Sequence, residues 1–231
     1  MTRHGRGMFI AGTDTGVGKT LVSQAILHGL AKRGLRAVGM KPVAAGAVRR
    51  RGQWINEDVE LLRAESGIDV PRPLVNPYCF APAVAPHIAA DEAGVNVQWL
   101  PIRRAYHVLA AQSDVVVVEG VGGVLVPLGP RLSAVDIPCR LRLPVVLVVG
   151  LRLGCLNHAL LSVEALTRRA VTLAGWIGNR VDPHMSLVDQ NVDALRRRIP
   201  APLLGIVPHM SPCASGRASK VLNFDALLKG F

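Results

Sequence analysis

Nine consecutive residues near the start of the chain, Gly12-Thr13-Asp14-Thr15-Gly16-Val17-Gly18-Lys19-Thr20, combine glycines, hydroxyl side chains and one lysine in an order suited to holding phosphate. Glycines let successive backbone N–H groups converge on phosphate oxygens, and a helix opening directly afterwards adds partial positive charge. Lys19 is placed to reach the β and γ phosphates of a nucleoside triphosphate, and the Thr20 hydroxyl to ligate Mg²⁺. The common spacing puts a glycine five positions before Gly18, where this chain has Thr13, and Gly12 stands one residue early. The loop is therefore a variant of the phosphate-binding pattern, and it requires a strand before it and a helix after it.

Phosphoryl chemistry with Mg²⁺ calls for one or two carboxylates as hard oxygen ligands. Glu119 follows four valines at 115–118 and precedes Gly120-Val121-Gly122-Gly123, which puts an acid at a strand end beside a turn that a ligand can approach closely. Such an acid is costly at the end of a buried strand unless it serves a ligand. Asp58, early in an expected helix, is a second candidate, although a carboxylate there also simply favours the helix N-terminus. Lys41, in Lys41-Pro42-Val43, would bring a second ammonium into the crevice of Lys19 and suit a substrate that accumulates negative charge, unless it is a surface lysine at a strand end.

The elements that must position these groups alternate along the chain. Short apolar runs predict strands at 8–11, 37–43, 115–118, 144–150, 173–177 and 203–207. Helical periodicity covers 21–32, which stops at Gly34, and 57–65, 102–112, 159–169 and 187–198. Residues 69–87 are rich in proline and read as an extended loop. The β-α alternation predicts an α/β fold of the P-loop NTPase kind: a single domain over residues 1–231, with a mostly parallel sheet flanked by helices on both faces. Right-handed crossovers then gather the post-strand loops along one sheet edge, where ligands bind.

Composition narrows the function classes. Half of the 231 residues are hydrophobic and 19% are charged, so a full core can be buried and disorder is excluded. The net charge of +11 suits anionic ligands such as a triphosphate or a carboxylate, or merely a solubilising surface. The runs Arg49-Arg50-Arg51 and Arg196-Arg197-Arg198 read as solvated faces, and no nucleic-acid-binding motif accompanies them. The four cysteines at 79, 139, 155 and 213 form no C-x-x-C pair, which argues against zinc and dithiol chemistry. No apolar segment approaches 18 residues and the N-terminus lacks a signal pattern, so a cytoplasmic protein is expected, with neither membrane nor nucleic acid as partner.

Several segments in order resemble the dethiobiotin synthetase family. They are the loop 12–20, Lys41-Pro42-Val43-Ala44-Ala45-Gly46, Asn76-Pro77-Tyr78 with Ala85-Pro86-His87, Val118-Glu119-Gly120-Val121-Gly122-Gly123, Leu153-Gly154-Cys155-Leu156-Asn157-His158, Ala174-Gly175-Trp176-Ile177-Gly178-Asn179 and Pro200-Ala201-Pro202-Leu203-Leu204-Gly205. The resemblance implies a homodimeric Mg²⁺–ATP enzyme of biotin synthesis that closes a cyclic urea on 7,8-diaminononanoate with CO2 derived from bicarbonate. Gly16, Val17, Gly18, Lys19, Thr20 and Leu21 would hold the phosphates, and Thr20, Asp58 and Glu119 the metal. Lys41 would hold the carbamate and the transferred phosphate, with Thr15 and Ala45 beside the substrate. Gly120, Val121 and Gly122 would border the nucleotide, and Asn179, Arg180, Pro208, His209 and Met210 would contact its base. Gly154, Cys155, Leu156 and Asn157 would receive the substrate carboxylate at a helix start across the subunit interface, in keeping with anion binding at helix N-termini.

The chain departs from the family where Ala45 replaces a common hydroxyl residue, where Gly16 replaces an acid found in some members, and after Pro208, where His209-Met210-Ser211-Pro212 fits poorly. The alternative is a nucleotide-switch ATPase of the partition-protein type that acts through partners. Those proteins usually carry a lysine early in the loop, where this chain has Thr13 or Asp14. A cobyrinate-type amidotransferase would need a glutaminase domain, for which no length is left. His28, His107 and His184 read as surface or satisfied side chains, Tyr78 and Trp54 as packing residues, and the Cys155 thiol as lacking an activating base.

Overall fold

A computed structural model describes residues 6–210 and 214–229. Six parallel strands form the central sheet: β1 (Arg6–Gly12), β2 (Ala37–Met40), β3 (Val115–Glu119), β4 (Val145–Gly150), β5 (Leu173–Asn179) and β6 (Leu203–Val207). Their spatial order is β6-β5-β4-β1-β3-β2, so the chain reverses direction across the sheet around β1, and the crevice at the carboxyl ends of β1 and β3 is the expected ligand position. The register sets Ile10 opposite Glu119, which brings the end of β3 level with the start of the phosphate-binding loop.

Alternation along the strands divides the core. Val116 and Val118 face one hydrophobic cluster, while Val115 and Val117 face the other together with Met8, Ile10 and the apolar side of helix α1 (Lys19–Ala31). With a side-chain period of two, Glu119 falls on the same face as Val115 and Val117, the face covered by α1. Gly34, at φ +76°, ends α1 in the left-handed region that glycine enters freely, and Leu35 N–H donates back to Leu30 O. Helix α2 (Glu57–Glu65) is capped by Asn56, whose side chain accepts from Val59 N–H. Helices α3 (Trp99–Gln112), α4 (Cys155–Arg168) and α5 (Val188–Arg196) complete the long connections.

The structure corrects the sequence reading in several places. The second strand ends at Met40, not at residue 43, because Pro42 has no N–H for a ladder; Val43–Ala44 instead pairs with Tyr78–Cys79 in a separate parallel ribbon. The stretch read as an extended loop holds that ribbon strand and a helical turn at Arg72–Val75, and its last two residues open a helix at Pro86–Glu92. Helices α3 and α4 begin three and four residues earlier than the periodicity implied. Trp54 is 47% exposed on a hairpin, not a packing residue. His28 contacts Glu65 at 3.4 Å, and His107 and His184 are exposed, as read. Ser211, Pro212 and Cys213 lie outside the described residues.

Candidate active site

The loop between β1 and α1 turns twice through positive φ, at Gly16 (+73°) and Gly18 (+87°). At Gly18 the need for glycine is also steric, since a Cβ there would lie 2.1 Å from Asn179 Nδ2. Asn179, the last residue of β5, is buried and donates from Nδ2 to Val17 O at 2.9 Å, which ties the loop to the far side of the sheet.

Lys19 folds back over the loop. Its ammonium donates to Asp14 O at 2.9 Å and to Gly122 O at 2.7 Å, so the phosphate-binding loop and the glycine turn after β3 share one cation. Burial disfavours that charge, and although Glu119 pulls the other way the pKa falls to about 8. Asp14 in turn pairs with Arg152.

Beside Lys19 lies a second charged cluster. Lys41, 4% exposed, donates to Asp58 Oδ2 and, at 2.7 Å, to Glu119 Oε1. Burial works against its charge, but the fields of Glu119 and Asp58 and their hydrogen bonds outweigh it and lift the Lys41 pKa above the ordinary lysine value. Burial likewise raises the Asp58 carboxyl, yet Lys41, with Thr20 and Lys19 assisting, draws it below the usual carboxylate range. Thr20 Oγ1 donates to Glu119 Oε1 at 2.9 Å. Glu119 is 0% exposed, and its second oxygen, Oε2, is buried with no partner.

That orphaned carboxylate oxygen, with the Asp58 carboxylate and the Thr20 hydroxyl, is a set of hard oxygen donors that fits Mg²⁺. The set is held by three elements: the end of β3, the second residue of α2 and the second residue of α1. The four groups Lys19, Lys41, Asp58 and Glu119 thus meet at one sheet edge.

They open onto a cleft of about 880 Å³, within the range of small-molecule sites. Matches to known proteins agree with this architecture. The family model described as "AAA domain" matches residues 6–216. Over 206 residues the chain is 57% identical to the ATP-dependent dethiobiotin synthetase BioD of Aromatoleum aromaticum, covering 89% of this chain and 92% of that protein. The chain belongs to the dethiobiotin synthetase family. Among solved structures, a ParA family ATPase from Chlorobium tepidum TLS superposes with a TM-score of 0.54 at 14% identity, covering 97% of this chain and 90% of that one; at such identity the likeness shows the fold alone.

Set against the synthetase family pattern, most of the expected site residues come together. Thr15, Gly16, Gly18, Lys19, Thr20, Leu21, Lys41, Ala45, Asp58, Glu119, Val121, Gly122, Asn179, Arg180, His209 and Met210 all line the cleft. Val17 does not, because its side chain is buried behind the loop. Gly120 is buried below the glycine turn, where a Cβ would meet the Phe9 ring at 2.9 Å, and Pro208 is exposed outside the cleft. Gly154, at φ +92°, opens α4 together with Cys155, Leu156 and Asn157, and none of the four lines the cleft of their own chain. Ala45 contributes only its carbonyl to a side-chain contact, accepting from Asn56 Nδ2 at 3.0 Å.

Some lining residues had escaped the sequence reading. Gln24 is 5% exposed, lines the cleft one helical turn after Thr20, and leaves Oε1 unpartnered. A polar residue among the apolar positions of α1, four after Thr20, was the available signal. Ala83 and Val84 also line the cleft from the proline-rich segment, which carries no comparable signal.

Proposed function

We propose that this chain uses ATP to carboxylate and cyclise 7,8-diaminononanoate with CO2, giving dethiobiotin, ADP and phosphate, a step of biotin biosynthesis. The observation that carries the reading is the convergence of Lys19, Lys41, Asp58 and Glu119 at one sheet edge, in a chain 57% identical to a named dethiobiotin synthetase.

In the reaction, one neutral amine of the substrate attacks CO2 and becomes a carbamate. A carbamate oxygen attacks the γ phosphorus and ADP departs, leaving a carbamic-phosphoric anhydride. The second amine attacks the carbonyl carbon, the C–O bond to phosphate breaks, and inorganic phosphate leaves as the urea ring closes. The loop amides from Gly16 to Thr20 hold the phosphates at the N-terminus of α1. Lys19 follows the β and γ oxygens, exchanging its present carbonyl partners for phosphate. Lys41, kept cationic by its two carboxylates, neutralises the carbamate and the group in transfer. Two ammonium groups near the bound diamine also lower the amine pKa values, which favours the uncharged nucleophile. Thr20, Asp58 and Glu119 would hold Mg²⁺, which when bound with the nucleotide supplies divalent charge against the phosphate oxygens. The remainder is positioning of the two substrates.

The expected assembly is a homodimer in which Gly154, Cys155, Leu156 and Asn157 of one subunit receive the substrate carboxylate beside the cleft of the other. Their absence from the cleft of their own chain supports that arrangement. Asn179, Arg180, His209 and Met210 line the cleft, which supports the reading that they would border the base. A cytoplasmic location fits the substrates; no described helix is long and apolar enough to cross a membrane. The partition-type reading has only the shared fold in its favour.

The test is incubation of the purified chain with ATP, Mg²⁺, bicarbonate and diaminononanoate, with mass detection of the cyclic urea. Product formation that requires all four supports the reading. ATP hydrolysis independent of the diamine, with no urea, would overturn it.

A further inference from the structure

The arginine run at 49–51 is exposed, as read. It forms one side and the tip of a β-hairpin, in which Val48–Arg50 pairs antiparallel with Gln53–Ile55. The tip residues Arg51 (φ +49°) and Gly52 (φ +82°) take the left-handed conformations that match the twist of a two-residue hairpin turn. The hairpin stands on the rim of the nucleotide cleft. Its two ends are closed by Asn56 Nδ2 donating to Ala45 O, and Ala45 and Glu57, on either side of it, both line the cleft. Ala47 N–H donates to Phe80 O and Gly46 N–H to Pro82 O, which fixes the base to the segment carrying the lining residues Ala83 and Val84. Arg72 braces the other strand by donating to Gln53 Oε1 at 2.7 Å.

The three arginines are exposed and form no ion pair among the described residues, whereas Arg72 is neutralised by Glu60. The acids that directly follow the hairpin are Glu57, exposed at its base, and Asp58 and Glu60, which are already paired with Lys41 and Arg72. From base to tip the strands extend about 13 Å at some 3.3 Å per residue. All three charges therefore lie within one to two Debye lengths of the rim at physiological ionic strength, and well within one at low salt.

We propose that this hairpin is a peripheral anion-gathering surface that speeds entry of the triphosphate into the cleft. It rests on the nucleotide reading of the cleft and adds a kinetic role at its rim. The surface acts on one substrate only, because the Mg²⁺–triphosphate is an anion whereas the diamine, with two basic nitrogens and one carboxylate, is not.

The experiment follows binding of a fluorescent N-methylanthraniloyl ATP by stopped flow, from low to high salt, to the parent chain, to Arg49→Gln/Arg50→Gln/Arg51→Gln and to Arg49→Lys/Arg50→Lys/Arg51→Lys. The glutamine variant should associate about tenfold more slowly at about 10 mM ionic strength, in the range of electrostatic steering. The difference should vanish near 1 M, where the screening length is about 3 Å. Dissociation rates and the KM for the diamine should stay at the parent values, and the lysine variant should associate like the parent. Equal association rates at low salt, a deficit that persists at high salt, or a deficit shared by the lysine variant would each overturn the proposal. Failure of the parent chain to bind the nucleotide at all would instead defeat the reading of the cleft, and this proposal with it.

Discussion

Replacing Lys41 by methionine keeps the side-chain volume and removes the charge that the Asp58 and Glu119 carboxylates lean on. Two arms must be weighed separately. Asp58 is 40% exposed at its side chain and can turn to water, so its arm contributes little. Glu119 is 0% exposed, and after the substitution it keeps only the Thr20 hydroxyl as a donor. Stranding one partner of a buried ion pair costs about 3–5 kcal/mol. For a chain of this size each kcal/mol lowers Tm by roughly 2–4 °C, so a fall on the order of 10 °C is expected. The double variant Lys41→Met/Glu119→Gln removes the stranded charge and should recover most of the lost stability, since a neutral pair costs little to bury. Neither variant should close the ring if Lys41 is the cation that meets the carbamate, as proposed. The assay is urea and thermal unfolding of the ligand-free proteins, run beside mass detection of product. A single variant within about 1 kcal/mol of the parent, or a double variant no more stable than the single, would refute this account of the pair.

Further outcomes follow from the same geometry. Lys19 titrates near pH 8 in the empty site, so above pH 8 it has lost its proton there and nucleotide phosphates should restore it; calorimetry at pH 9 in buffers of different ionisation enthalpy should show uptake of close to one proton, and no buffer dependence would contradict it. Folding has the opposite sign to binding: the unfolded chain holds this proton up to 10.5 and the ligand-free fold releases it, so between about pH 8 and 10.5 this group alone makes the ligand-free fold more stable as pH rises. Gly18→Ala forces a left-handed alanine, costing about 1–2 kcal/mol, and drives its methyl into Asn179. Nucleotide Kd should rise at least about tenfold, measured by fluorescence titration. If the substrate carboxylate is received across a two-fold interface, mixing inactive Lys41→Met with inactive Asn157→Ala should restore about a quarter of the parent turnover, because half the dimers then hold one intact site; no recovery after subunit exchange would exclude a shared site.

The phosphate-binding loop and the buried strands were legible because both are local. Glycine, lysine and threonine sit within nine residues, and four consecutive valines have few places to go but the middle of a sheet. Glu119 was legible for the same reason, as an acid at the end of such a run. The pairing of Lys41 with Glu119 was not, since 78 residues separate them and only the adjacency of β2 and β3 brings them together. The proline-rich stretch 69–87 misled because proline content argues against long regular elements but says little about a four-residue helical turn or a two-residue ribbon. Arg49, Arg50 and Arg51 were legible as charge and not as shape, since an Arg-Gly turn lacks the Asn-Gly or Asp-Gly that marks hairpins most clearly. The role proposed for Gly154, Cys155, Leu156 and Asn157 left no mark in the fold of a single chain, whose own cleft they do not line.

The central claim is that an oxygen of the carbamate takes the γ phosphoryl group before the ring closes. Turnover with oxygen-18 bicarbonate, ATP, Mg²⁺ and diaminononanoate, under conditions where label exchange with water is slow, tests it directly. The released phosphate should carry one heavy oxygen for each urea formed. Urea produced together with unlabelled phosphate would contradict the phosphorylated carbamate and the role given to Lys41.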